Sequence, residues 1–250
     1  PSVAWTLRLQ GLDFDWADIS IAPLNLHVGQ REGMARGDVA VAADHIDLAA
    51  LGALVQKTGL AGAKLNEVVS TLNPRGTLRD LHLELTRGAP QPVRLRARVD
   101  RLAVDPWQGA PGARDLSGYL ELADYQGFFE LDSPGGFAMH YPQAYRDYMA
   151  YGRARGRINL RWDPDIASFN LAGGPIQVAG DEGNIDAYIY LHIPTLQAAD
   201  EPEMYLLAGI RGSHSRFLDR YLPQVLDPAL LAWLDRAIGG TSGRGLHLVL

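Results

Sequence analysis

The feature that most constrains this chain is long, regular alternation of aliphatic and polar residues. In Val93-Arg94-Leu95-Arg96-Ala97-Arg98-Val99 every second residue is an arginine and the rest are aliphatic. Successive side chains of a β-strand point to opposite sides of the sheet, so this segment has one apolar and one charged face. Ile185 to Ile193 repeats the scheme, with aliphatic residues at odd positions and Asp186, Tyr188, Tyr190 and His192 at even ones. Shorter alternations at Trp5 to Leu9, Leu24 to Val28, Leu81 to Leu85, Leu116 to Leu122, Arg157 to Trp162 and Met204 to Ile210 read the same way, with Gly-, Pro- and Asp-rich turns between them. The chain is therefore expected to be mainly β, built of long twisted antiparallel strands.

Three segments leave this period. Leu48, Leu51, Leu54 and Val55 fall at helical spacing, with Asp47 as N-cap and Gly59 as stop. From Asp227 to Ile238, Asp227 caps, Pro228 takes the first helical position, Leu230, Leu231, Leu234 and Ile238 share a face, and Gly239 ends the run. A third helical stretch covers Lys64 to Leu72. Helical regions are followed by glycine-led strands at Gly76 and Gly243, which suggests a repeat. On that basis residues 1–75 end one module with its closing helix, 76–242 form a second with a closing Trp-Leu-Asp helix, and 243–250 begin a third. The chain starts without Met and stops inside an alternating strand, so it is expected to be a piece of a longer protein whose exposed last strand promotes self-association.

Composition removes several functions. Of the 250 residues, 47% are hydrophobic and 21% charged, which suits a folded chain with a sizeable core. A net charge of −6 without a basic cluster gives no attraction to polyphosphate, so no nucleic-acid partner is expected. The absence of cysteine excludes disulfides and thiolate metal sites, and no apolar run approaches the length of a membrane-spanning helix.

No constellation points to catalysis, a metal or a cofactor. The seven histidines are scattered, without the i+2 or i+4 spacing of a metal pair. Asp13, Asp15 and Asp18 lack the glycine and closing Glu of a calcium loop and read as a solvated turn. Gly239 to Gly245 follows a helix instead of opening one and lacks the Lys-Ser/Thr ending of a phosphate loop. Gly212-Ser213-His214-Ser215-Arg216 lacks the nucleophile elbow, and Asp163-Pro164-Asp165 reads as a turn. His192 with Tyr188, Tyr190 and Asp186 reads as an ordinary exposed polar face. The tryptophans, Trp5, Trp16, Trp107, Trp162 and Trp233, are dispersed in packing positions.

Arg220-Tyr221-Leu222-Pro223, Asp227-Pro228 and Ala232-Trp233-Leu234-Asp235-Arg236-Ala237-Ile238, closing in glycines before a new strand, together resemble the YhdP branch of the AsmA-like envelope proteins. His45-Ile46-Asp47-Leu48, Pro74-Arg75-Gly76, and Val104-Asp105-Pro106-Trp107-Gln108 through Pro111-Gly112 to Leu116-Ser117-Gly118 support the resemblance, which covers most of residues 40–250. It implies a periplasmic protein tethered in the inner membrane by a segment absent here. It also implies sheets curled into an apolar-lined β-groove that moves phospholipid toward the outer membrane.

Period-two patterning agrees with this: many strands with one aliphatic face need that face covered, and only two or three short helices are at hand. The reading is a non-catalytic β-groove segment that binds lipid acyl chains along Val93, Leu95, Val99, Ile185, Ile189, Leu191, Ile193, Leu206 and Ile210, without cofactor. One rival is an envelope scaffold with the same strands closed into a sandwich. A second is a carbohydrate-active or carbohydrate-binding β-sandwich, against which the dispersed tryptophans count.

Overall fold

The computed structural model describes residues 5–16, 19–30, 34, 37–59, 62–86, 93–107, 110–143, 145–163, 168–181, 183–194, 202–211, 227, 229–230, 233 and 245–249. The strands are β1 (Trp5–Trp16), β2 (Ile19–Gln30), β3 (Val39–Asp47), β4 (Arg75–Leu85), β5 (Val93–Val104), β6 (Gly112–Ala123), β7 (Gln126–Ser133), β8 (Phe137–His140), β9 (Met149–Tyr151), β10 (Arg153–Asp163), β11 (Ser168–Gly180), β12 (Gly183–Pro194), β13 (Glu203–Arg211) and β14 (Gly245–Val249). Two helices, α1 (Leu48–Thr58) and α2 (Gly62–Leu72), separate β3 from β4.

All these strands belong to one antiparallel sheet whose order follows the chain, β1 through β7, then β10 through β14. β8 pairs with β6 beyond the end of β7, and β9 pairs with β8. The sheet does not close on itself: β1 and β14 are its two edges. It is also continuous across the expected module boundary at residue 76, because β3 and β4 pair from Val39↔Leu85 to Asp47↔Thr77. The accessible surface is 15002 Å2 for 27.3 kDa, against about 11,000 Å2 for a compact monomer of that mass.

A line of β-bulges crosses the sheet, and a bulge bends its strand and strengthens the local twist. Register shifts occur at Gly11 in β1, at Asp80 in β4, and near Arg101 and Asp115 in β5 and β6. All four residues have positive φ. The line continues through β10 and through Gly174 in β11. Bulges break the ladder, and side chains of the next strand bond the interrupted backbone. The Gly11 N–H donates to Asn25 Oδ1 (3.1 Å), and the Asn25 N–H to Asp44 Oδ1 (2.9 Å). Farther along, the Arg101 N–H donates to Ser117 Oγ (3.1 Å) and the Ser117 N–H to Ser133 Oγ (2.8 Å). Ser133 is fully buried where β6 changes partner from β7 to β8, so its hydroxyl fills a gap in the ladder. At Gly174 (φ +143°) the Tyr188 ring lies against the backbone, leaving no space for a Cβ.

The longest connections, α1 and α2 between β3 and β4, residues 134–152, and the link from Arg211 to Gly245, leave one end of the strands, the inserted end, as does the 105–111 link. The opposite end holds the Asp124-Tyr125 turn and the links that join β2 to β3, β4 to β5 and β12 to β13. α1 forms as its capping residues dictate. The Ala50 N–H donates to Asp47 Oδ1 (2.9 Å), and Gly59 ends the helix at φ 63° with its N–H on the Val55 carbonyl. The Lys64 to Leu72 expectation corresponds to α2. Of the Asp227 to Ile238 helix, Ala229, Leu230 and Trp233 are helical, and the Ala229 N–H donates to Asp227 Oδ1 (2.7 Å). Its remaining residues, Pro164-Asp165 and Gly212 to Arg216, lie outside the described residues, as does Gly239 to Arg244.

One expectation is corrected. Asp13 and Asp15 stand in β1, with Asp15 opposite Ser20, and not in a turn. The bulge at Gly11 shifts the alternation by one residue, so the strand continues with Leu12, Phe14 and Trp16 on the apolar face.

Asp105 ties α2 to the sheet. Its N–H donates to the Leu72 carbonyl (2.8 Å), and its carboxylate accepts from Asn73 Nδ2 (3.0 Å) and Arg75 (2.9 Å). The Asn73 amide first, then the Arg75 guanidinium, hold this carboxyl below its ordinary value. A depressed carboxylate contributes stability above the unfolded-state pKa that is lost as pH falls through the folded-state value. Melting temperature is therefore expected to drop more steeply below about pH 4 in the native protein than in Asp105→Asn. Superimposable acid profiles would show that this contact contributes nothing.

Candidate functional site

Directly paired residues of neighbouring strands point to the same side, so the register assigns each side chain to a face. One row of paired residues crosses eleven strands: Leu7, Val28, Val41, Leu83, Leu95, Leu122, Gly127, Leu160, Leu171, Leu191 and Met204. A second row on the same side runs Ala97, Leu120, Phe129, Ile158, Gly173, Ile189 and Leu206. Toward the inserted end follow Leu78, Val99, Gly118 and Leu131, then Ala154, Val178, Ile185 and Ile210. No residue of these rows is charged. At about 4.8 Å between strands, the first row extends roughly 48 Å.

All nine sequence-predicted residues stand on this face. Leu95 and Leu191 belong to the first row, Ile189 and Leu206 to the second, and Val99, Ile185 and Ile210 to those beyond. Val93 pairs with Leu85, and Ile193 with Phe169. Five strand spacings separate the β5 group from β12, and the gap is filled by residues that the sequence reading did not assign to the groove: Leu120, Leu122, Phe129, Leu160 and Leu171. Their signal was the same alternation, extended by pairing.

The opposite face carries the alternate residues: Arg94, Arg96 and Arg98 with Glu84, Glu121 and Tyr119 beside them, then Glu130, Arg157, Asn159 and Arg161. Ion pairs such as Arg79–Asp100 (3.5 Å) and Arg155–Asp132 (3.0 Å) are exposed and contribute little stability, so the polar face is chiefly hydrated.

The apolar face is covered unevenly. At the inserted end, Tyr145 and Met149 pack with Leu131, Ala154, Val178, Ile185, Ala208 and Ile210, flanked by Phe137, Met139, Tyr141 and Tyr151. Ile185 and Ile210 are thus occupied by the protein's own segment 137–151, and Val99 is buried as well. Ile189, Leu206, Val93 and Leu95 are only half-buried. Toward the β1 edge Trp5, Leu7, Phe14 and Trp16 are exposed, with the Lys57 ammonium 5.8 Å from the Trp16 ring centroid. Ala97, Leu191 and Ile193 are buried without belonging to the Tyr145 cluster.

A single open antiparallel sheet with its aliphatic rows in phase on one side defines the class of this protein: a one-layer β-sheet with an apolar face to fill. The chain belongs to the YhdP family, whose model, described as YhdP protein, matches residues 2–250. That is an envelope protein family. No curated protein and no solved structure matches the chain. Among the described residues no group of three metal-ligating side chains occurs, and no helix is long and apolar enough to cross a membrane.

The division between covered and uncovered parts is testable. Ile185→Asp places an unpaired carboxylate beneath Tyr145 and Met149, at a cost of several kcal/mol against a total stability of about 5–15 kcal/mol. The variant is expected to be largely unfolded at temperatures where the native protein is folded. A melting curve matching the native one would mean that this end of the face is not packed.

Proposed function

We propose that the apolar face is a lipid-binding groove in which acyl chains supply the cover that a second sheet would otherwise provide. The observation that carries this reading is the in-phase register of aliphatic rows over eleven strands, with half-buried side chains along much of it. An acyl chain spans about half of a ~30 Å bilayer core, so the stripe accommodates about three chain lengths end to end. Phospholipid suits such a surface because its tails rest on the aliphatic rows while its head group stays at the hydrated rim. Family membership supports a role in moving phospholipid between the inner and outer membranes, with the protein in the periplasm and tethered to the inner membrane by a segment outside this chain. The mechanism needs no catalytic group, metal or cofactor: binding is non-directional apolar burial of about 25 cal/mol per Å2, and contiguous rows leave no barrier between adjacent positions.

The rival is a scaffold whose apolar face is closed by protein alone. Ile189→Asp separates the two, since Ile189 lies between Gly173 and Leu206 outside the cluster under Tyr145. In an open groove the carboxylate stays hydrated when lipid is absent and repels acyl chains when lipid arrives. The variant is expected to keep a near-native melting curve and to retain much less phospholipid than the native protein. An unfolded variant would favour the closed scaffold.

A further inference from the structure

The polar face has its own concavity, which the lipid reading leaves unused. A hollow of about 760 Å3 lies over β6, β7, β10, β11 and β12, lined mainly by residues of the polar face, with Gly127 and Leu160 of the first aliphatic row also bordering it. Its axis is a row of directly paired residues, Phe128, Asn159, Ala172 and Tyr190, continued by Tyr205. Phe128 and Tyr190 are three strand spacings apart, about 14 Å, so two aromatic rings rise at either end of a low floor made by Asn159 and Ala172.

Both rings are held in place. The Arg157 guanidinium lies 3.7 Å from the Phe128 ring centroid, and Tyr119 tilts beside it at 6.1 Å. The Tyr190 hydroxyl donates to Asn170 Oδ1 (3.2 Å), which also lies 2.8 Å from His192 Nδ1, and Tyr205 is tilted against Tyr190 at 6.0 Å. The walls add amide, guanidinium and carboxylate groups from Gln126, Arg161 and Asp163.

We infer that this hollow is a binding site for a short saccharide chain. The lining disfavours other ligand classes. An acyl chain would displace water from the exposed Glu121, Gln126, Asn159 and Arg161 without replacing its hydrogen bonds. A polyanion would find Arg161 against Glu121 and Asp163 in the lining, on a chain of net charge −6. A saccharide presents apolar C–H faces to the Tyr190 ring and to the edge of Phe128, one face of which Arg157 covers, and hydroxyls to the amides, carboxylates and guanidinium between them. The inference does not depend on the lipid reading, since the two sites lie on opposite faces of one sheet.

The test is isothermal titration of the native chain with maltohexaose and with tetra-N-acetylchitotetraose, beside two variants. Ala172 is exposed, so Ala172→Trp fills the hollow without touching the apolar face; Tyr190→Ala removes one platform. The native protein is expected to bind at least one of the two sugars. Each variant should weaken that binding about tenfold or more, with unchanged melting and unchanged phospholipid retention. No binding of either sugar at millimolar concentration would overturn the inference, as would native-like binding by both variants.

Discussion

The structure depends on one constraint: aliphatic side chains recur every second residue in strand after strand, and the pairing register keeps them in phase. A one-residue slip in any strand would carry its apolar set to the hydrated face, so burial of that face and choice of register enforce each other. Ordinary antiparallel folds answer with a second sheet or a layer of helices. Here α1 and α2 lie near the ends of the strands, and segment 137–151 covers one region around Tyr145, leaving long rows half-covered. Function follows from that deficit, because whatever completes the burial is bound.

Bending is supplied by the bulge line. Strands of about twelve residues would make a nearly straight ribbon if every ladder bond were kept, whereas bulges at Gly11, Asp80, Arg101, Asp115 and Gly174 bend successive strands along a common path. The interrupted backbone groups are met by Asn25, Asp44, Ser117 and Ser133, so the bend is made without leaving those donors unpaired. Phe128 and Tyr190 border a hollow among the polar-face side chains, and one sheet thereby offers two surfaces of different chemistry.

Much of this was legible in the sequence because alternation is a direct signal of a half-buried strand: β5, β12 and β13 were readable almost residue by residue, as were the two caps of α1. What was hidden has specific causes. β3 carries Ala40 and Ala42 on its polar face, so Val39-Ala40-Val41-Ala42-Ala43 shows no polar alternation. β7 sets Phe128 and Phe129 side by side, one on each face. β11 contains Gly173-Gly174-Pro175, which reads as a turn and is instead a bulge within a strand. The faces themselves were readable strand by strand, but their alignment into rows is a property of pairing, which no local pattern contains. The cover by Tyr145 and Met149 was equally invisible, since an aromatic residue in a Pro- and Gly-rich link carries no mark of where it packs.

The central claim is that lipid completes the burial of the apolar face. Mass spectrometry of an organic extract of the protein, purified without detergent, measures this directly. The account predicts phospholipid at one or more molecules per chain. A lipid-free extract from a folded, monodisperse protein would contradict it.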